Sequence, residues 1–176
     1  NMQINARCVD LLAIYRAELL ERDVPFWLEH TIDRQHGGIL TCISDEGQVL
    51  SEDKYMWSQL RAIWTFSALY NRVERRAEWL DAARHIFDFV KRYGRDEQGR
   101  WVFAVDKDSN ILQGATSIYA DGFAIYGLTE LARAIGTSQG QRGTGDQEAI
   151  DLALETYENV QRRLARPGSY QTAPYP

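Results

Sequence analysis

Two stretches of this sequence predict helices that are apolar on nearly every side, and helices that are apolar on one side only flank each of them. The all-round stretches run from Met56 to about Asn71 and from Ser117 to about Ile135. The one-sided stretches run from about Ala6 to Glu29, from about Ala77 to Tyr93 and from Gln147 to about Ala165. A helix without a polar face must be covered on several sides. The alternation therefore predicts an all-α fold of stacked helix pairs, the all-round helices inside, as in a solenoid or a closed α/α toroid.

The segments before the two all-round helices repeat each other. Each consists of a turn cluster and short β-prone runs that predict a hairpin between helices. Leu50 precedes Trp57 by the interval that separates Leu112 from Tyr119. The matched pairs continue with Ile63 and Ile125, Trp64 and Tyr126, and Leu69 and Leu131. Each repeat unit is thus predicted to contain a turn, a hairpin, a buried helix and an amphipathic helix.

The first one-sided helix carries an apolar stripe that we predict to be buried. The stripe is formed by Val9, Leu12, Tyr15, Leu19 and Leu20. Pro25 follows within the same helical pattern, and a proline removes one backbone donor and crowds the preceding turn. We therefore expect Pro25 to kink or divide this helix.

The number of helices leaves apolar surface uncovered. The order is outer, inner, outer, inner, outer, and the sequence stops where the next inner helix is expected. A bare apolar face of several hundred Å² is a large liability, because burial contributes about 25 cal/mol per Å². Either residues 1–176 are the N-terminal portion of a longer toroid, which we favour, or a second copy covers the face in a homodimer. Residues 136–146 are predicted to form a flexible loop, and residues 166–176 an irregular tail.

Composition excludes several classes of function. The net charge is −5 and no basic cluster stands out, which argues against a nucleic-acid partner. No apolar run approaches the length of a membrane span, and we expect no membrane association. Cys8 and Cys42 are far apart and lack neighbouring metal ligands, so neither a disulfide framework nor a metal site is expected. Two isolated thiols favour a reducing, cytoplasmic location.

Arg61 is the most informative charged residue, because it lies inside the first all-round apolar helix. A guanidinium cannot lose its proton, so a buried Arg61 needs a carboxylate, carbonyl groups or an anionic ligand. Trp57 and Trp64 lie one turn to either side on the same helix face. They could form with Arg61 the floor of a site for a small polar ligand such as a sugar. Alternatively, this is a core helix whose arginine is tied to Glu52, Asp53 or a distant acid.

Four motifs occur in order along most of the chain and resemble one family. They are Asp33-x-x-x-Gly37-Gly38-Ile39, Asp53-Lys54-x-x-Trp57-x-Gln59-x-Arg61-x-x-Trp64-x-Phe66, Trp79-Leu80-x-x-Ala83 and Tyr119-Ala120-Asp121-Gly122-Phe123-Ala124-Ile125-Tyr126-Gly127-Leu128-x-Glu130. The set resembles the N-acylglucosamine 2-epimerase superfamily, which also contains cellobiose 2-epimerases and aldose–ketose isomerases acting on mannose. The resemblance implies an (α/α)6 barrel of twelve helices, of which residues 1–176 would form the N-terminal portion of a single catalytic domain.

The resemblance also implies a reaction and a set of site residues. The family moves a proton next to a sugar carbonyl through an enediolate, without a cofactor, and its partner is a small carbohydrate. Arg61 matches the arginine that binds the sugar oxygens, and Tyr119 matches a tyrosine that contacts the substrate. Trp57 and Phe123 would line the pocket. Asp121 is a candidate ligand contact that could instead cap a neighbouring helix.

The histidines of this chain do not match the family's catalytic pair. None of the three, His30, His36 and His85, matches those catalytic residues, and structural or solvated roles are expected for all of them. Carbon-bound protons do not move without an acid and a base. The 176-residue chain is therefore expected to be inactive by itself, the acid–base histidines being supplied from outside it.

Two other functions remain open from the residues alone. One is a glycoside hydrolase on the same architecture, with Asp33, Asp96 or Asp121 as its acids. Against it, Asp33 and Asp96 occupy equivalent turn positions, where a carboxylate usually caps a turn. The other is a helical-repeat module that binds a partner chain on its apolar inner face. The sequence does not identify the sugar or separate epimerisation from isomerisation.

Overall fold

Helices dominate the computed structural model, which describes residues 2–139, 144–166, 168 and 170, and short strands lie between them. The elements in chain order are α1 (Met2–Ala17), a π-helical segment (Glu18–Asp23), α2 (Val24–His30), β1 (Cys42–Ile43), β2 (Val49–Ser51), β3 (Lys54–Tyr55), α3 (Met56–Arg72), α4 (Ala77–Tyr93), β4 (Ala104–Val105), β5 (Ile111–Gln113), α5 (Ile118–Gln139) and α6 (Thr144–Leu164). The predicted mixture of helices and hairpins is therefore confirmed.

The core lies between an inner and an outer layer of helices. Inner helix α3 packs against outer helix α4 and against inner helix α5, and α5 packs against outer helix α6. The inward face of α4 carries Trp79, Ile86 and Val90 at helical spacing, and all three are fully buried. They meet fully buried side chains of the inner helices, such as Leu60 and Leu128. The predicted alternation of inner and outer helices is confirmed, and it is consistent with an α/α toroid.

The two inner helices approach closely at one glycine. A Cβ atom on Gly127 of α5 would lie 2.4 Å from the carbonyl oxygen of Leu60 on α3. A side chain cannot occupy that space unless the helices separate. Gly127 therefore sets the distance between α3 and α5, and so the width of the surface that they form together.

The two hairpins have the same register. The antiparallel pairs are Cys42 with Ser51 and Ile43 with Val49 in the first hairpin, and Ala104 with Gln113 and Val105 with Ile111 in the second. Every member of the second hairpin lies 62 positions after its counterpart, as Ala104 does after Cys42. Both turns contain a residue with positive φ, Gly47 at 82° and Ser109 at 69°. The repeat predicted from the sequence is thus present in the backbone.

Strand β3 ties the first inner helix to the second hairpin. Lys54 pairs with Val105 and Tyr55 with Ala104, so that β3, β4 and β5 form one three-stranded sheet. The backbone N–H of Met56, the first residue of α3, donates to the carbonyl of Phe103 at 3.0 Å. The start of α3 is therefore positioned by residues from the next unit.

The acids of the two turn clusters act as predicted. Asp33 accepts hydrogen bonds from the backbone N–H groups two and three residues further on, at 3.0 and 2.9 Å. Asp96 accepts them from the groups two and four residues further on, also at 3.0 and 2.9 Å. Each carboxylate closes its own turn, as aspartates commonly do.

The N-terminal helical region differs from the prediction in what it buries. Pro25 lies in the first turn of α2, directly after the π-helical segment, so the helix changes type next to Pro25, while the backbone stays right-handed helical through Ala17, Asp23 and Val24. However, Val9, Leu12 and Tyr15 on α1 are 65%, 68% and 68% exposed, and of the predicted stripe only Leu20 is buried. The prediction of a buried stripe was wrong because, apart from the adjoining π-helical segment, no other described element packs extensively on α1. An amphipathic pattern identifies an apolar face but does not supply its cover.

The predicted loop is shorter than its composition indicates. Helix α5 continues to Gln139 and α6 begins at Thr144, so both ends of the predicted loop at 136–146 are helical. Residues 140–143, in the middle of that loop, lie outside the described residues, as does most of the predicted tail at 166–176.

Candidate functional site

The inner helices present one face to an open hollow. On α3, Trp57, Arg61 and Trp64 follow at spacings of four and three residues and share a face. We call the concave region next to them the inner hollow; it is about 660 Å³ in volume and is lined by Arg61, Trp64, Thr65, Tyr119, Gly122, Phe123 and Tyr126. A second groove of about 680 Å³, on the side of α3 that faces α2, also contains Arg61 and Trp57. Arg61 therefore stands on the ridge between two concave regions.

Arg61 is held by aromatic rings. Its guanidinium carbon lies 5.5 Å from the ring centre of Trp57 and 5.4 Å from that of Phe123. The two rings are themselves 6.5 Å apart, centre to centre. Both distances from Arg61 are in the range of cation–π attraction. The structure thus brings together three of the residues that the sequence nominated.

Arg61 is exposed, and the described residues place no carboxylate within salt-bridge distance of its side chain. The alternative of a core helix whose arginine is tied to Glu52 or Asp53 is therefore wrong. The physical reason is that the face of α3 bearing Arg61 looks into the inner hollow rather than into the core. Its charge is therefore available to a bound anion or to ligand oxygens.

Further aromatic side chains extend the inner hollow. Tyr119 projects from the first turn of α5 and is half exposed. Tyr126 stacks on Trp64 with ring centres 4.7 Å apart and planes inclined by 15°. A smaller apolar cavity of about 200 Å³ lies beside Trp57 and Tyr119. Flat apolar faces next to polar groups suit the mixed surface of a sugar ring.

Asp121 is placed elsewhere. It is 1% exposed and faces α6, where each of its carboxylate oxygens lies 3.0 Å from Nη1 of Arg163. Burial raises the pKa of Asp121 above its ordinary value, and the opposing attraction of Arg163 offsets this only in part. The structure therefore does not bring Asp121 into the inner hollow with Arg61, and its visible role is to join α5 to α6.

A buried ion pair that sequence reasoning missed lies behind the site. Lys54 is fully buried, its Nζ is 2.7 Å from Asp33 Oδ2, and it also lies 5.0 Å from the ring centre of Phe89. Burial alone would raise the pKa of Asp33, but the hydrogen bonds from Lys54 and from two backbone N–H groups bring that pKa below its ordinary value. The signal was present, since both residues belong to the quoted motifs.

Gln59 provides a second anchor that sequence reasoning missed. Its side chain accepts a hydrogen bond from the N–H of Ile39 at 2.8 Å and donates to the carbonyl of the same residue at 2.7 Å. A Cβ on Gly38 would lie 2.7 Å from Gln59 Oε1, so the turn fits closely around this amide. Lys54 and Gln59 together fix the N-terminal end of α3 against the first turn cluster, and Arg61 is in the next turn of that helix.

The histidines make structural contacts. His85 Nε2 lies 2.9 Å from the backbone oxygen of Asp33, and His36 Nδ1 lies 3.5 Å from its carboxylate. The ring of His30 packs against Phe26 with centres 4.7 Å apart. None of the three lines the inner hollow. These contacts agree with the structural roles predicted for them.

Within the described ranges, two other kinds of site are not found. No group of three or more acidic, histidine or cysteine side chains is arranged to hold a metal ion. None of the helices in the part of the chain that the structure describes is both long and apolar enough to cross a membrane.

The chain is similar to known proteins in both sequence and structure. The sequence model of N-acylglucosamine 2-epimerase (GlcNAc 2-epimerase) matches residues 37–174. N-acylglucosamine 2-epimerase of Homo sapiens is 34% identical over 152 residues, which are 84% of this chain and 35% of that protein. Cellobiose 2-epimerase of Bacteroides fragilis is 32% identical over 146 residues, with 82% and 35% covered.

Solved structures agree with the sequence matches. The cellobiose 2-epimerase of Spirochaeta thermophila superposes with a TM-score of 0.75 at 26% identity, covering 93% of this chain and 38% of that one. A D-mannose isomerase superposes with a TM-score of 0.67 at 23% identity and shows the shared fold alone. The chain thus spans little more than a third of the length of these relatives and corresponds to their N-terminal part. With the family's sequence model matched along most of its length, the chain belongs to the N-acylglucosamine 2-epimerase family.

Proposed function

We propose that the protein is a sugar 2-epimerase or aldose–ketose isomerase and that this chain contributes the arginine-bearing wall of its sugar site. The reaction removes a proton from the carbon next to the sugar carbonyl and returns it, passing through an enediolate. The observation that carries the proposal is Arg61, a permanent cation at the inner hollow that is flanked by aromatic rings rather than by a carboxylate. The enzymatic names of the relatives support the same function.

Each residue has a defined task in this proposal. Arg61 directs its N–H donors at the sugar oxygens and stabilises the negative charge that develops on them as the enediolate forms. Tyr119, half exposed in the same hollow, hydrogen-bonds a sugar hydroxyl through its phenol. Trp57 walls the site and excludes water from one side of Arg61. No cofactor takes part in these steps.

The acid and the base come from residues outside this chain. The three histidines here are engaged in the turns and helices around Asp33 and Phe26, away from the inner hollow. We propose that further inner helices close an (α/α)6 barrel over the hollow and deliver the two histidines that move the proton. On this proposal residues 1–176 form the N-terminal portion of one catalytic domain and have no activity alone.

The test is solvent exchange in the complete protein that contains this chain. In deuterated water, N-acetylglucosamine, mannose and cellobiose would each be followed by NMR for deuterium appearing next to the carbonyl carbon. Arg61→Ala is expected to lower kcat/KM for the accepted sugar by about 100-fold or more, because a charge-stabilising donor is lost. Arg162→Ala, at an exposed position on outer helix α6, is the matched control and should leave the rate unchanged. Exchange by Arg61→Ala within about threefold of wild type would refute the assignment.

The positions of Asp33, Asp96 and Asp121 give little support to the alternative of a glycoside hydrolase. Asp33 and Asp96 close turns, and Asp121 is paired with Arg163. A pair of opposed carboxylates on the inner hollow would be needed for that chemistry. A hydrolase would lose all activity with Asp121→Asn, whereas the epimerase or isomerase should be affected more by Arg61→Ala.

A further inference from the structure

The guanidinium of Arg61 is held in place without being neutralised. In most sites a carboxylate orients an arginine by accepting its N–H donors, and those donors are then no longer free for a ligand. Here the flat guanidinium lies over the faces of Trp57 and Phe123, at 5.5 and 5.4 Å from the ring centres. Stacking on a ring face uses the plane of the guanidinium and leaves the N–H groups at its edge free.

We propose that Phe123 is a positioning residue, which acts on the reaction by holding Arg61 in the orientation that binds the sugar oxygens rather than by contacting the sugar. This inference rests on the proposed function. It changes the task assigned to Phe123 from lining the pocket to holding the cation.

The location of Phe123 suits this task. Phe123 lies on α5 while Arg61 lies on α3, so the contact fixes the arginine relative to the second inner helix as well as its own. Phe123 is only partly exposed and packs against the core cluster, so its ring cannot turn freely. One face of its ring is turned toward the guanidinium of Arg61, 5.4 Å from the ring centre.

The repeat adds an independent argument. Phe123 stands 62 positions after Arg61, the same offset that relates the two hairpins. The two residues are thus counterparts, and they meet on the line between the two inner helices. A second arginine at this position would repel the first, whereas an aromatic ring attracts it. Because the counterpart of Arg61 is a phenylalanine, a single oriented cation lies between the two helices at this position.

A double-mutant cycle in the complete protein distinguishes positioning from sugar contact. Phe123→Leu keeps an apolar side chain and removes the ring face. It is expected to lower kcat for exchange of the accepted sugar about tenfold, with KM within about twofold, because orientation matters most in the transition state. In the Arg61→Ala background, Phe123→Leu should have no further effect, and Phe123→Tyr alone should stay within about threefold of wild type. Equal losses in both backgrounds would show direct sugar contact and overturn the inference.

A readout without turnover separates this inference from the proposed function. The ring currents of Trp57 and Phe123 should displace the Arg61 Nε–H proton resonance upfield in the ligand-free protein. Phe123→Leu should lose part of that displacement and Phe123→Tyr should keep it, with thermal unfolding midpoints recorded for both variants to exclude misfolding. Loss of displacement without exchange of any sugar would support the positioning of Arg61 and refute the proposed function. An Arg61 resonance that is unchanged by Phe123→Leu would refute the positioning role, whatever the activity.

Discussion

The first repeat unit (residues 32–72) and the second (residues 95–139) share a backbone and differ in their buried polar side chains. The hairpins of the two units have identical registers. Each unit begins with a turn that an aspartate closes. In the first unit the turn acid Asp33 is paired with fully buried Lys54, whereas in the second Asp96 is paired with the more exposed Arg100. The frame of main-chain hydrogen bonds is therefore reproduced without the same side chains to support it.

The inner helices show the same contrast. The buried side chain of Gln59 in the first unit points away from the inner hollow and hydrogen-bonds the backbone of Ile39. The buried side chain of its counterpart Asp121 also points away from the hollow, and it pairs with Arg163. On the inward face, Arg61 has Phe123 as its counterpart. The exchange of Gln59 for Asp121 changes which hydrogen bonds hold each inner helix to its surroundings. The exchange of Arg61 for Phe123 leaves one cation of this pair at the inner hollow. Side chains that point away from the inner hollow thus stabilise the fold, and those that point into it could contact a ligand.

The largest expected difference between the units concerns their turn acids. Lys54→Met would leave Asp33 buried without its cation and should lower the free energy of unfolding by about 3–5 kcal/mol. Arg100→Met removes the corresponding partner of Asp96 from a surface ion pair and should cost about 1 kcal/mol or less. Urea denaturation of the complete protein measures both. Equal losses would mean that the two turns are fastened equally strongly, contrary to their burial.

The second prediction concerns the contact between the units. Gly127→Ala should destabilise the protein by about 1–3 kcal/mol, because the added Cβ would lie 2.4 Å from the carbonyl oxygen of Leu60. Gly122→Ala on the same helix is the matched control, since no atom lies within 4 Å of its added Cβ. Alanine there should stabilise the helix by up to about 1 kcal/mol. If both substitutions stabilise, α3 and α5 can separate freely and Gly127 does not set their distance.

The smallest expected effect is on the pH dependence of stability, to which Asp33 and Asp121 contribute with opposite signs. Because the pKa of folded Asp33 is lowered, its carboxylate stabilises the fold at neutral pH, and this contribution is lost as pH falls below 3.8 and through the lowered folded value. Because the pKa of folded Asp121 is raised, ionising it costs stability as pH rises through 3.8 to that raised value. On acidification wild type should therefore lose stability relative to Asp33→Asn and gain it relative to Asp121→Asn. Denaturation at several pH values tests this, and parallel curves would contradict it.

The outer helices were the easiest elements to predict from the sequence. The one-sided pattern predicted α4 from about Ala77 to Tyr93, and those are its bounds in the structure. Its apolar face has partners on both neighbouring inner helices, so the pattern and the burial coincide. On α1 the same type of pattern failed for Val9, Leu12 and Tyr15, because burial also requires a covering element.

The candidate site could be predicted in its members more readily than in its geometry. Trp57, Arg61 and Phe123 were nominated, yet the sequence left open whether Arg61 lies at a ligand site or in the core, since a helix facing an aromatic hollow has the same composition as a buried one. Asp121 was named as a candidate ligand contact, whereas in the structure it faces the outer layer, as its counterpart Gln59 does. Applying the 62-residue offset to single side chains would have predicted the outward direction of Asp121, whereas its partner Arg163 depends on tertiary packing.

The pairing of β3 with β4 has a consequence for the order in which the chain folds as it leaves the ribosome. Lys54 and Tyr55 have no strand partner until Ala104 and Val105 have been synthesised, and the first backbone donor of α3 must likewise wait for the carbonyl of Phe103. Closing that loop costs entropy that local helix formation cannot recover. The first unit is therefore completed only after the second hairpin has emerged from the ribosome.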